Sequence, residues 1–194
     1  MSLFQNILII AILITGAGFL SLTEIALAGA RKVKLKILAE SGDDRAQKVL
    51  NLQEHSAEFF AASQIGLNAI AILGGILGEA AFRPYFVTLI DRVYVGPWTD
   101  TIGFTLSFTL VTSLFILFAD LMPKRLAMIA PEKIAISVIN PIQVFIKICK
   151  PLAWMINAIA NLLFRLFKVN TIRDDNITFA DISAVMDAGA QAGG

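Results

Sequence analysis

The sequence predicts an all-α membrane protein with three transmembrane helices and amphipathic juxtamembrane helices. Three observations predict it. Of 194 residues, 57% are hydrophobic, and mean hydropathy is +0.74; a soluble domain holds roughly 45–50% apolar residues. The excess lies in blocks at about 3–30, 59–82 and 101–122, each near the ~20 residues that cross a ~30 Å hydrocarbon core. Basic residues gather at block ends: Arg31, Lys32, Lys34 and Lys36 after the first, Lys124 and Arg125 after the third. The positive-inside rule then puts those ends in the cytoplasm and the N-terminus outside.

Composition also excludes function classes. A formal net charge of +1 leaves no basic field for nucleic acid. The single Cys149 and single His55 exclude an internal disulfide and any Cys- or His-rich metal site. No nucleophile stands beside an acid in a hydrolase-like constellation, so no catalytic residue, bound cofactor or enzymatic activity is expected.

The first block carries no Lys or Arg before Leu3, where a signal peptide would want a basic n-region, so it reads as a retained helix. Near its end, 19-FLSLTEIAL-27 sets Ser21, Thr23 and Glu24 at membrane depth. An acid there costs several kcal/mol and marks a functional site with a partner elsewhere. Residues 31–52 alternate lysines with Val33, Leu35, Ile37 and Leu38, turn at Ser41-Gly42-Asp43-Asp44, and resume with Ala46, Val49, Leu50 and Gln53 at helical spacing. That pattern predicts a helical hairpin on the cytoplasmic membrane surface; a soluble connector is the alternative.

The second block is apolar except for Ser63, Gln64, Asn68 and Glu79. Gln64 and Asn68 share one helix face. Gly74 and Gly78 form a small-residue stripe suited to close helix contact. Residues 83–100, with Arg83-Pro84, Asp91-Arg92 and Gly96-Pro97-Trp98, read as an external loop. The third block ends on Asp120 before Pro123-Lys124-Arg125. Pro123 has no N–H to give and frees the carbonyl of Ala119, which beside Asp120 makes a candidate cation-ligand set. In the plainer reading Pro123 stops the helix and Asp120 pairs with Lys124.

Residues 126–170 are apolar but broken by Pro131, Pro141 and Pro151 and by Lys147, Lys150, Arg165 and Lys168. They predict three proline-bounded interfacial helices with Trp154 as an anchor. A fourth span at 151–168 is the alternative. Residues 171–194 turn acidic, with a capping-box-like Thr178/Asp181 pair, and predict the start of a cytosolic helical linker.

Three stretches in order, 19-FLSLTE-24, 64-QIGLN-68 and 118-FADLMPKRLA-127, resemble the transmembrane domain of the CorC/CNNM (cyclin M) family of magnesium transporters, and within it the bacterial branch once labelled hemolysin-related. The resemblance covers the whole chain. It departs at Thr23, where the family pattern has serine, and at Asp120, where it has glutamate. It implies a homodimer in the bacterial inner membrane, with residues 1–170 as the membrane domain and 171–194 leading to a paired CBS domain. It also implies Mg2+ export, with Na+ as the candidate coupling ion. Another cation, such as a polyamine, or a structural anchor for a regulatory CBS domain, are the alternatives.

The residues suit a hard cation. They offer hydroxyls at Ser21, Thr23 and Ser63, amide oxygens at Gln64 and Asn68, and carboxylates at Glu24 and Asp120. Mg2+ takes oxygen ligands and dehydrates reluctantly. The expected ion ligands are Ser21, Thr23, Glu24, Ser63, Asn68 and Asp120, converging from three spans on a cavity open to the cytosol. Partners are the ion, the lipid bilayer and a second copy. Three spans are few for alternating access, so the Gly74/Gly78 stripe is the candidate dimer seam.

Overall fold

A computed structural model describes residues 3–166. The expected linker over 171–194 lies outside the described residues. Residues up to Trp154 form one compact unit; from Met155 to Leu166 the chain continues as helix. Every described element is helical.

Helix α1 (Leu3–Gly29) has 27 residues and no interior charge before Glu24; at 1.5 Å per residue it is about 40 Å long. Helices α2 (Lys32–Glu40) and α3 (Asp44–Glu54) form the expected hairpin. Gly42 turns it at φ +99°, a backbone conformation only glycine adopts freely. Asp43 caps α3 by accepting from the Arg45 backbone N–H at 3.0 Å. The Arg45 side chain bonds the same carboxyl at 3.2 Å and holds it below its usual titration range. Ala46, Val49 and Leu50 are buried, while Val33 and Ile37 stay exposed among the lysines. Gln53 Nε2 donates to the carbonyls of Leu27 (2.8 Å) and Ala30 (2.9 Å). The hairpin therefore satisfies carbonyls that the end of α1 leaves without a helical partner.

Helix α4 (Ser56–Ile90) is longer than the 59–82 block, and the expected loop over 83–100 begins only after Ile90. It runs through Pro84, which removes one ladder hydrogen bond. Tertiary contacts offset that loss. Arg83 pairs with Glu79 at 3.5 Å and with Asp100, and its guanidinium lies 5.8 Å from the Phe104 ring centroid. The mixed charge that reads as loop in sequence is thus an interhelical clamp. Helix α5 (Thr99–Leu114), a π-helical segment (Phe115–Leu121) and α6 (Met122–Ile129) then run without a break. Pro123 does not end the helix. It lies inside the continuous rod directly after the π segment, and its missing N–H leaves the ladder one bond short there.

Helix α7 (Pro131–Leu166) replaces the three proline-bounded helices: it passes through both Pro141 and Pro151. Its buried residues Ala135, Ile136, Ile139 and Ile142 recur at helical spacing, and packing of that stripe outweighs the two lost ladder bonds. Its contacts keep to one end of the bundle. Pro131 approaches Gly29, Lys48 bonds Asn140 at 3.1 Å, Phe145 lies against Gly66, and Lys150 faces Glu58 at 3.9 Å. By length and hydropathy alone four helices are candidate spans, Phe4–Gly29, Ser56–Ile90, Thr99–Ile129 and Pro131–Ile156, one more than the three apolar blocks of the sequence. The chain is a multi-pass membrane protein.

Helix α4 packs between α1 and α5. Against α1 it runs antiparallel, with Gly16 facing Ile70, Leu20 facing Gly66 and Glu24 facing Gln64. Against α5 and the π segment it is antiparallel again: a Cβ at Gly74 would collide with the Phe115 ring, and one at Gly78 would lie 2.5 Å from Val111 Cγ1. The Gly74/Gly78 stripe is therefore consumed inside the chain and is not free as a dimer seam. The apolar core lies where α1 ends, joining Leu20, Leu27, Leu35, Val49, Phe59 and Ile139.

This packing can be tested at two positions. Gly78→Ala is expected to destabilise by about 1–3 kcal/mol through overpacking, and Val111→Ala in the same protein to restore part of the loss. Thermal unfolding of both single variants and the double closes the cycle; strict additivity would refute the contact. Asp43→Ala is expected to lower Tm at neutral pH. A carboxyl with a lowered folded pKa stabilises above its unfolded pKa and loses that effect as pH falls through the folded value. The Tm difference between Asp43→Ala and wild type should therefore shrink in acid to what the neutral cap alone contributes.

Candidate functional site

The antiparallel register of α1 and α4 sets two polar turns level. On α1, Ser21 and Glu24 lie three residues apart, one turn along the same face. On α4, Gln64 and Asn68 lie four residues apart and also share one face. Gln64 Nε2 donates to Glu24 Oε1 at 3.4 Å. Asn68 makes no hydrogen bond to the protein among the described residues.

The third side comes from the π-helical segment. A π turn widens the helix and shifts the register of the residues after it. Its close approach to α1 depends on Gly18, where a Cβ would meet both the Phe118 carbonyl oxygen and Pro123 Cγ at 3.2 Å. That approach brings Asp120 against Ser21, whose Oγ donates to Asp120 Oδ1 at 3.5 Å. Lys124 Nζ reaches the same Oδ1 at 2.5 Å.

Between these elements lies a cleft of about 370 Å³. Ser21, Glu24, Gln64, Asn68, Asp120 and Lys124 supply its polar groups. Ala17, Leu67, Ala71, Phe115, Ile116 and Ala119 supply its apolar walls. Ligand pockets span about 300–1,000 Å³, mostly apolar with a few placed polar groups, so this cleft suits a small organic molecule as well as a hydrated ion. Among the described residues no three Asp, Glu, His or Cys side chains cluster as a metal site.

The structure brings together Ser21, Glu24, Asn68 and Asp120 of the expected set, and adds Gln64. It places the other two elsewhere. Thr23 is buried and returns its hydroxyl to the Phe19 carbonyl at 2.7 Å, as hydroxyls in helices commonly do. Ser63 is buried outside the cleft, and its Oγ has no partner among the described residues. Lys124 as a cleft residue and Phe115 as a wall were not read as site residues from sequence. Lys124 was legible as an i, i+4 partner of Asp120. Phe115 left no signal, because its place depends on the π turn and on Gly74.

A model of the cyclin M transmembrane N-terminal domain matches residues 8–194. The chain belongs to this family. Among curated relatives, the polyamine export protein of Escherichia coli K12 is 51% identical over 191 residues, covering 98% of this chain and 43% of that protein. The polyamine export protein of Haemophilus influenzae is 48% identical over 193 residues, covering 100% and 45%. A UPF0053 protein of Synechocystis is 31% identical over 185 residues, covering 95% and 41%. The chain thus spans less than half the length of these relatives.

The placement of the hydroxyls makes a prediction. Ser63→Ala is expected to leave ligand binding unchanged and stability unchanged or slightly raised, because it removes a buried hydroxyl that makes no hydrogen bond. Calorimetric ligand titration and thermal unfolding of the full-length variant check both; a loss of binding would move Ser63 into the site.

Proposed function

We propose that this chain is the membrane domain of an exporter of organic polycations, with linear polyamines as substrates and the Ser21/Glu24/Asn68/Asp120 cleft as the binding site. The cleft carries the reading: two carboxylates, Glu24 and Asp120, stand with Ser21, Gln64, Asn68 and Lys124 beside apolar walls in a cavity of about 370 Å³. A polyamine repeats that pattern, with ammonium groups spaced along alkyl segments. The ammonium groups pair with the carboxylates and with the oxygens of Ser21 and Asn68. The alkyl segments lie on Ala71, Leu67 and Ala119, and Phe115 offers a ring face to a cation. The polyamine export proteins at 48–51% identity support the same substrate class.

Magnesium is the second reading, favoured by a donor set made only of oxygen. Mg2+ keeps several waters and commonly binds through one or two carboxylates, so a roomy cleft with two acids also accommodates it. A sodium gradient as the driving force belongs to either reading.

A topology goes with this function. The N-terminus is outside a bacterial inner membrane, and α1, α4 and the α5–α6 rod cross it. The α2–α3 hairpin and residues 131–154 of α7 lie at the cytoplasmic end, which agrees with the contacts of Pro131 at Gly29, Asn140 at Lys48 and Lys150 at Glu58. Residues 171–194 lead to a cytosolic CBS pair, and a homodimer supplies six spans.

The test is flux through the full-length protein in inside-out vesicles, with labelled putrescine, spermidine and Mg2+, with and without a sodium gradient. Glu24→Gln and Asp120→Asn are expected to weaken polyamine uptake about 10–100-fold each. A hydrogen bond to a charged group is worth about 1.5–3 kcal/mol, and each 1.4 kcal/mol is about tenfold. Magnesium flux without polyamine flux would select the second reading. A wild-type protein that moves neither would leave the chain as an anchor for its cytosolic part.

A further inference from the structure

Asp120 is not empty-handed in this structure. The Lys124 ammonium, one turn on, sits on its Oδ1 at 2.5 Å, and both residues line the cleft. Ser21 approaches the same oxygen at 3.5 Å. Both contacts fall on Oδ1, so the Oδ2 lobe of the carboxylate remains for another donor. The lysine side chain is a four-carbon stem ending in a primary ammonium. That is the chemistry of the terminal aminobutyl group of a polyamine, tethered to the wall of the cavity.

The formal charges of the cleft make the same point. Glu24 and Asp120 give −2, and Lys124 brings the total to −1. An unpaired acid at membrane depth is costly, so a cleft without substrate needs a counter-ion. A dication needs both acids. It is fully matched only when Lys124 has left Asp120. Lys124 is long and flexible and is only partly covered, with its side chain 33% exposed, so it can leave.

We infer that Lys124 is a resident counter-ion that occupies the substrate ammonium position on Asp120, is displaced when a polyamine enters, and expels it by returning. The inference rests on the cleft being a polyamine site. It makes Lys124 a competitor built into the chain: affinity for substrate falls by the fraction of time that Lys124 holds Asp120, and release is faster for the same reason. A transported substrate requires this balance, because binding must be favourable enough to enter and weak enough to leave.

The test uses the full-length protein in lipid nanodiscs, with putrescine as the probe for calorimetric binding, and vesicle flux for turnover. Lys124→Met removes the competitor and keeps the stem. It is expected to tighten putrescine binding about three- to tenfold while lowering kcat, so that KM and kcat fall together. Lys124→Gln, as a second uncharged variant, should move in the same direction. Lys124→Arg, whose planar fork grips a carboxylate in two places, should weaken putrescine binding below wild type. A purely structural lysine would not order the three side chains Met, Lys, Arg by affinity. Asp120→Asn distinguishes failure of the site from failure of the counter-ion role. If it leaves putrescine binding intact, the cleft is not the polyamine site. If it abolishes binding but Lys124→Met and Lys124→Gln bind like wild type or more weakly, the site stands and the counter-ion role is overturned.

Discussion

The cleft depends on how closely α1 approaches the π-helical segment. The two backbones meet at Gly18, where even one added carbon would press on the Phe118 carbonyl and Pro123 at 3.2 Å. That approach sets Asp120 within reach of Ser21, and it leaves the acid facing α4 across an open space. A regular α-helix through 115–121 would carry Asp120 round to a different azimuth, because each wide turn adds a residue to the register. The position of Pro123 suits this arrangement. It has no N–H to give to the ladder, and it packs its ring on α1 instead of ending the rod.

The other wall is held by α4, which has small residues on both sides. Gly66 admits Leu20 and Phe145, while Gly74 and Gly78 admit Phe115 and Val111. Interiors in lipid gain little from apolar contact alone, so close fit and polar links do the fastening. Here the links sit at the two ends of α4. Arg83 joins α4 to α5 through Asp100, and Gln53, just before α4, ties the hairpin to the end of α1. The polar cleft lies between these two fastened ends, where Asn68 and Gln64 face Glu24 and Asp120. A site for a transported cation needs such a frame: the donors must converge, and none of them should be locked in a full set of internal hydrogen bonds.

Much of the fold was legible from residue order. Long apolar blocks, basic flanks and a Ser41–Asp44 turn signal each correspond to a helix or a hairpin in the structure. The four clustered site residues were legible for the same reason: Ser21, Glu24, Asn68 and Asp120 are polar where polarity is expensive. Prolines pointed the wrong way. Pro84, Pro123, Pro141 and Pro151 all look like helix ends, yet each lies inside a helix or in its first turn. Tertiary packing outweighed a local cost that sequence reasoning counts in isolation. The Gly74/Gly78 stripe shows the converse. A small-residue stripe announces a close contact but not with which helix, and the partner turned out to lie in the same chain.

The sequence by itself determined that this chain is helical, sits in a membrane, and carries oxygen donors and no Cys or His cluster, because hydropathy, charge flanks and residue chemistry are local properties. Only the tertiary structure decided which donors share one cavity. Thr23 and Ser63 have the right chemistry and almost the right sequence positions, but helix rotation turns them away from the cleft. Lys124 and Phe115 enter it for the same kind of reason, since a π turn and two glycines, not any motif, set the azimuth at which α1, α4 and the third rod face one another.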